Sequence, residues 1–454
     1  MKESRGGKKG ARVLAYLALG AIMGCLALLL ADLTFRVAMQ RRIANRIGAM
    51  IAAGQPTELA DLAPPEIPNS ENAGTLYMEA CSVIEAIESN KTAPDEWTWE
   101  WLVARAYSEE ERLSPAQREL VVGYLQEVRP AVERVQAAEE LIRCRLAGDY
   151  WPIVGGPDGN TFHDIGTLRH LERCVCLAAL SAAQDGDIGE ALGMLAAGLR
   201  MAEGVKHQPD SMSQMMGNAC AWICFKTLQS VLDQRFPPEI AAERLLAQLG
   251  QLRDRKHLLW GLQGDRCVMI ATFDRLRDMG SGPLELRASE RASFEPWSFI
   301  DRTMLLLDEV AYLDLMARAI EIAARPRYES REAFEQLLRE IEGMSKFDTL
   351  ATVSIPAING AHQAEERLAA QCDLAEIAIR LKHYQGKTGS YPAELQDIVP
   401  EFLPALHVDR FSGDPYTYKR EGDGFVIYSV GVNGQDDGGD PDRKDGDIVW
   451  RSSR

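Results

Sequence analysis

Residues 428–450 read YSVGVNGQDDGGDPDRKDGDIVW. An apolar run, FVIYSV, stops at Gly431. A loop dense in Gly, Asn and Asp follows, and Ile448-Val449-Trp450 resumes the apolar pattern. Apolar runs bounding turn residues predict strands joined by a loop. The loop holds six acids, Asp436, Asp437, Asp440, Asp442, Asp445 and Asp447, against two bases, Arg443 and Lys444. Carboxylates at that density repel one another unless water or a cation separates them. Oxygen-rich, flexible loops suit calcium, which takes six to eight oxygen ligands. The competing reading is a solvated acidic hairpin loop. An EF-hand is excluded, because a loop starting at Asp440 would put its required Gly on Asp445 and its terminal Glu on Arg451.

The residues upstream supply a context. In order come LKHYQGKTGSYP (381–392), FSGDPYTY (411–418), FVIYSVGVNG (425–434) and DGDI (445–448) before a Trp. In that order they resemble the C-terminal domain of the major, G-type pseudopilin of bacterial type II secretion, over about residues 361–450. The resemblance implies a helix packed on a small antiparallel sheet, a secretion-associated role, and one bound calcium. By position its ligands would be the Val430 carbonyl, the Asn433 side chain, Asp445 and Asp447. The family usually carries Asp where Asn433 stands, so one negative ligand is missing here. The chain also departs from the family at its other end, where no Gly-Phe with a following Glu precedes the apolar anchor.

That anchor is VLAYLALGAIMGCLALLLA, residues 13–31, with no charged residue. As a helix it spans roughly 28 Å, about the thickness of a bilayer's hydrocarbon. Lys2, Arg5, Lys8, Lys9 and Arg12 precede it, which by the positive-inside rule predicts a cytoplasmic tail over residues 1–12. A cleaved signal peptide is disfavoured, since no small-x-small site ends the run, and Cys25 lies mid-run rather than at a lipobox. The expectation is a single-pass helix over residues 13–33 in a bacterial inner membrane, with the bulk of the chain outside the cytoplasm. Residues 34–71 read as a helical extension and then a Pro- and Asn-rich linker.

Residues 72–346 carry helical periodicity throughout. Val121, Leu125, Val128, Val132 and Val135 mark one helix face, with Pro130 expected to kink it. Ile188, Leu192, Leu195, Leu199 and Ala202 mark another, opened by Asp187 as N-cap with Glu190 three residues on. With Leu168, Leu171, Val175 and Ala178 they form a hairpin resembling one tetratricopeptide unit, without a second copy at a fixed period. Further helices are expected near 212–233, 238–252, 256–278, 297–323 and 330–344. Pro356 and Gly360 interrupt the pattern, which places a domain boundary at 351–360 and starts the last helix at Ala361. The fold class is therefore mainly α: a transmembrane helix, an all-helical hairpin domain, and a small α+β pilin-like domain over residues 361–454.

The helical segment offers little recognisable chemistry. His163, Asp164 and His170 read as satisfied polar residues rather than ligands. Cys220 and Cys224 sit in an apolar helix as small hydrophobes. Trp97, Trp99 and Trp101 read as core. No phosphate loop, nucleophile elbow or zinc motif is present, and a net charge of −17 argues against nucleic acid. Two functions remain. One is a structural or interaction protein of the cell envelope, with the bilayer and further proteins as partners. The other is an envelope enzyme or ligand-binding protein with its site near the loop 148–164.

Overall fold

A computed structural model of the chain describes residues 4–62, 65–89, 115–146, 161–233, 236–254, 256–278, 299–344, 349–440 and 445–452. The fold is mainly helical and ends in a three-stranded sheet. In chain order the helices are α1 (Ser4–Ala52), α2 (Ala73–Ser89), α3 (Pro115–Ala138), α4 (Thr161–Asp185), α5 (Ile188–Val205) and α6 (Ser211–Leu232). They continue with α7 (Glu239–Leu252), α8 (Lys256–Asp278), α9 (Phe299–Ala323), α10 (Arg327–Glu342) and α11 (Thr349–Thr388). The strands are β1 (Thr417–Glu421), β2 (Gly424–Ser429) and β3 (Ile448–Ser452). Contacts divide the chain into two compact units: residues 1–58, 266–318 and 339–355, and residues 59–265, 319–338 and 356–454.

The first unit is built around α1. Among the described residues, α1 is the one helix long and apolar enough to cross a membrane, and its most apolar window has no buried residue. Past that window α1 turns polar and gains partners. Asp32 accepts a hydrogen bond from the Thr303 hydroxyl at 2.8 Å and pairs with Arg36 at 2.5 Å. Arg46 forms a two-pronged pair with Asp314 of α9. Just beyond the helix, Arg266 donates to Gln55 and to the Pro56 carbonyl at 2.9 and 3.0 Å. The basal part of α1 is thus laced to α9, the chain just after it to α8, and Ile43 is buried in that part of α1.

The second unit has one continuous core running from α2 through α7 and on into α11 and the sheet. The expected hairpin is present: α4 and α5 pack side by side, Leu195 is fully buried, and the Asp187 side chain caps the Glu190 N–H at 2.9 Å. Helix α3 continues through Pro130. Gly74, at the start of α2, lets the chain approach the Arg145 carbonyl so closely that a Cβ would sit 2.1 Å from that oxygen. The sheet is antiparallel in the order β1-β2-β3, with Ile427 opposite both Tyr418 and Trp450.

The stretch 351–360 corrects the sequence reading. Helix α11 does not start at Ala361; it runs unbroken from Thr349 through Pro356. Pro356 and Gly360 lie on its exposed side, where water can serve the backbone group left without a partner, while Ile355, Ile358 and Ala361 are buried and hold the helix in place. The stripe Leu368, Cys372, Ala375, Ile379 is buried as expected.

The helix and sheet at the C-terminus are not set apart from the helices before them. Lys206, fully buried at the end of α5, is held by both oxygens of Glu365 on α11 at 2.8 Å. Arg253 after α7 pairs with Asp373 and Glu376 of α11 at 2.8 and 2.5 Å. Strand β3 docks on α6 through Ser452 to Asp233 at 2.6 Å and Gln229 to the Arg451 carbonyl at 2.8 Å.

Candidate functional site

The motifs that carried the resemblance build the sheet end of the second unit. Tyr391 is buried edge-on against Phe425, with ring centroids 4.8 Å apart. The Tyr418 hydroxyl donates to the Pro392 carbonyl at 2.8 Å, and that of Tyr416 to Asp373 at 2.8 Å. Asp409 ties the turn together by accepting from the Phe411 N–H, the Ser429 hydroxyl and the Val430 N–H.

The four proposed calcium ligands follow on this scaffold. Val430 is half-buried at the end of β2. Gly431 then takes φ 63° and passes so near Gly446 that a Cβ would lie 1.9 Å from its carbonyl oxygen. The Asn433 N–H donates to the Asp445 carbonyl at 2.8 Å, so the two arms of the loop close on each other. The Asn433 side chain accepts from the Gln435 N–H and donates to Asp437, both at 2.8 Å. Asp447 is buried and accepts from the N–H groups of Asp437 and Gly439 at 3.3 and 2.6 Å. Burial, with Asp436 and Asp437 nearby, raises its pKa above the ordinary carboxylate value. Asp445 turns its carboxylate away, to Arg367 on α11 at 2.8 Å. The structure therefore gathers Asn433, Asp437 and Asp447, and sends the Asp445 side chain elsewhere.

In the helical part, the loop 147–160, the tryptophans Trp97, Trp99 and Trp101, and the side chains of His163 and Asp164 lie outside the described residues. His170 is buried, 2.7 Å from the Tyr124 hydroxyl and 3.1 Å from Glu88. Two groupings that the sequence reading did not single out bring three ligand atoms within 4.8 Å of one another.

The first is Glu172, Cys176 and Cys224, between α4 and α6. The Cys224 thiol donates to Glu172 at 2.8 Å, and the two sulfurs are 3.7 Å apart. All three are buried. Burial pushes the Glu172 carboxyl up to about 8 and the Cys224 thiol well above its ordinary value. Burial thus favours the protonated Glu172 acid and Cys224 thiol, which is poor material for a metal that needs deprotonated ligands. Cys220 and Cys224 are buried in the core, as the apolar helix suggested, and Cys224 in addition donates to Glu172.

The second is Glu203, His207 and His257. Glu203 lies in the last turn of α5, and His207 follows one turn on. His257 enters from the first turn of α8. Glu203 Oε1 is 2.6 Å from His207 Nε2 and 3.4 Å from His257 Nε2; the latter is too poorly aligned for a regular hydrogen bond. The two imidazoles stack, with centroids 5.0 Å apart and planes 25° apart. The other oxygen of Glu203 pairs with Arg200, which also donates to the carbonyls of Leu141 and Ile142 at 2.9 and 2.5 Å. Burial alone would raise the Glu203 pKa, but the His207 hydrogen bond, the nearby His257 and the Arg200 charge outweigh it and hold the carboxylate well below its ordinary range.

Compared with family models, with curated proteins and with solved structures, the chain gives no match. The pseudopilin resemblance therefore rests on the order of the sequence motifs alone. The sequence signal for the second grouping was the Glu203-x-x-x-His207 spacing, which puts both side chains on one helical face. His257 lies far along the chain, and no local pattern points to it.

Proposed function

We propose that this protein is a single-pass membrane protein of the bacterial envelope with a structural or interaction role. The bulk of the chain lies outside the cytoplasm and presents a pilin-like helix and sheet within a secretion-type assembly. One observation carries this reading: α1 runs without a break from a fully exposed apolar stretch into a polar stretch laced to α9. A helix bare at one end and packed at the other suits a rigid mount on a bilayer. A phosphatase or fluorescent-protein fusion at Arg454 should report an extracytoplasmic C-terminus. A cytoplasmic signal overturns the reading. Partners are sought by cross-linking and pull-down from membranes with α1 intact.

Calcium at the C-terminal loop belongs to the same proposal. The donors fit it in part, since Asn433 and Asp447 both reach Asp437, and a cation there would relieve the repulsion among Asp436, Asp437 and Asp447. Asp445 would contribute only by leaving Arg367. Because α11 and the sheet share a core with the helices, the test uses the full chain in detergent rather than a fragment. A cation bound only by the folded state at about a hundredfold excess over Kd stabilises it by about 2.7 kcal/mol. Melting with calcium should exceed melting with chelator by several degrees, and Asp447→Ala should remove the difference. Asn433→Asp should enlarge it, and Asp436→Ala should leave it in place. Superimposable wild-type curves mean that the acids are only solvated.

A further inference from the structure

We propose that Glu203, His207 and His257 form a binding site for a divalent cation of the zinc class. The inference is independent of the pilin-like reading of the C-terminus. The donor set is two imidazole nitrogens and one carboxylate oxygen, a combination that borderline-soft cations such as zinc and cobalt favour and calcium does not. The spacing agrees. Ligands about 2.0–2.1 Å from a tetrahedral metal lie about 3.3 Å apart. Here Glu203 Oε1 lies 2.6 and 3.4 Å from the two Nε2 atoms, and all three are within 4.8 Å of one another. Small rotations of two side chains would centre an ion among them.

Three further features favour a site over a simple polar contact. First, His257 Nε2 is buried and, among the described residues, has no hydrogen-bond partner despite facing a carboxylate. A buried nitrogen left so is costly unless something else meets it. Second, Arg200 holds the far oxygen of Glu203 and is itself fixed by two backbone carbonyls. That turns Oε1 towards the imidazoles, as outer-shell partners do in metal sites. The guanidinium charge opposes an incoming cation and lowers the affinity, but the ionised Glu203 it pairs with offsets it. Third, the side chain of His207 is 26% exposed whereas those of Glu203 and His257 are 5% and 4%. An ion could therefore enter past His207, and three protein ligands leave a fourth position open to water or another ligand on that side.

The probe is the metal alone, zinc or cobalt, added to the untagged full-length protein in detergent. One equivalent should bind by calorimetry, and cobalt should develop the visible bands of a four- or five-coordinate ion. His207→Gln and His257→Gln should each weaken binding at least about tenfold, and the control His407→Gln should not. X-ray absorption of the loaded wild type should show nitrogen and oxygen ligands with imidazole scattering and no sulfur, a readout that does not depend on any variant folding. Failure of wild type to bind, equal binding by both histidine variants, or a sulfur shell that places the ion at Cys176 and Cys224 would each overturn the proposal.

Discussion

Two buried glutamates, Glu172 on α4 and Glu203 on α5, are placed in opposite electrostatic states by the same fold. Glu172 is wholly buried among thiols, and among the described residues no cation lowers its pKa, which burial lifts to about 8. Glu203 is nearly as buried, yet Arg200, His207 and His257 hold it ionised far below its ordinary range. Burial therefore does not decide whether a carboxyl is charged; the partners brought to it do. Only the second grouping is ready to meet a cation. The first behaves as part of the core.

The sharpest way to break the contrast is to take the cation from Glu203. Arg200→Met leaves a buried carboxylate with only histidines beside it and frees the carbonyls of Leu141 and Ile142. The expected loss is about 3–5 kcal/mol by chemical denaturation. A loss under about 1 kcal/mol would mean that the pair is solvated rather than buried.

A smaller effect is expected on the other side. Gly198 of α5 faces the Glu172 grouping, and a Cβ there would lie 2.3 Å from Glu172 Oε1 and 3.0 Å from the Cys224 sulfur. Gly198→Ala should cost about 1–3 kcal/mol through overpacking. It should leave zinc binding near Glu203 unchanged. An alanine tolerated without loss would show that the acid and the thiol are not where they are described.

The finest test is pH. Glu172 has an ordinary value of 4.5 and a folded value of about 8, so above 4.5 the unfolded chain gives up the proton while the folded chain keeps it. Its contribution is fully present below 4.5 and is lost as pH rises to about 8, with a slope of about 1.4 kcal/mol per unit. Glu203 does the reverse: its contribution is present above its ordinary value and is lost as pH falls through its depressed one. Glu172→Gln, a stand-in for the protonated acid, should flatten the alkaline limb of stability against pH and leave the acid limb. An unchanged profile would mean that Glu172 is ionised in the folded protein.

Much of the architecture was readable from local pattern. The apolar charge-free run marked α1, the stripe with Asp187 before it marked α5 and its cap, and the alternation of apolar runs and turn residues marked the strands. These features are legible because one helix or hairpin carries the whole signal within a few turns. Pro356 misled for the same reason: its local cost is real, but the buried residues on either side of it carry the helix through.

The sequence by itself determined the apolar helix, the helical hairpins, the sheet and the acidic loop, because periodicity and turn chemistry act between neighbours along the chain. Only the tertiary structure decided that α2–α7, α11 and the sheet share one core. It also turned Asp445 to Arg367, brought His257 against Glu203, and left Glu172 with thiols in place of a cation. Each of these depends on which side chains, tens to hundreds of residues apart, the packed helices bring within a few ångströms, and the charge of a buried group is set by those neighbours.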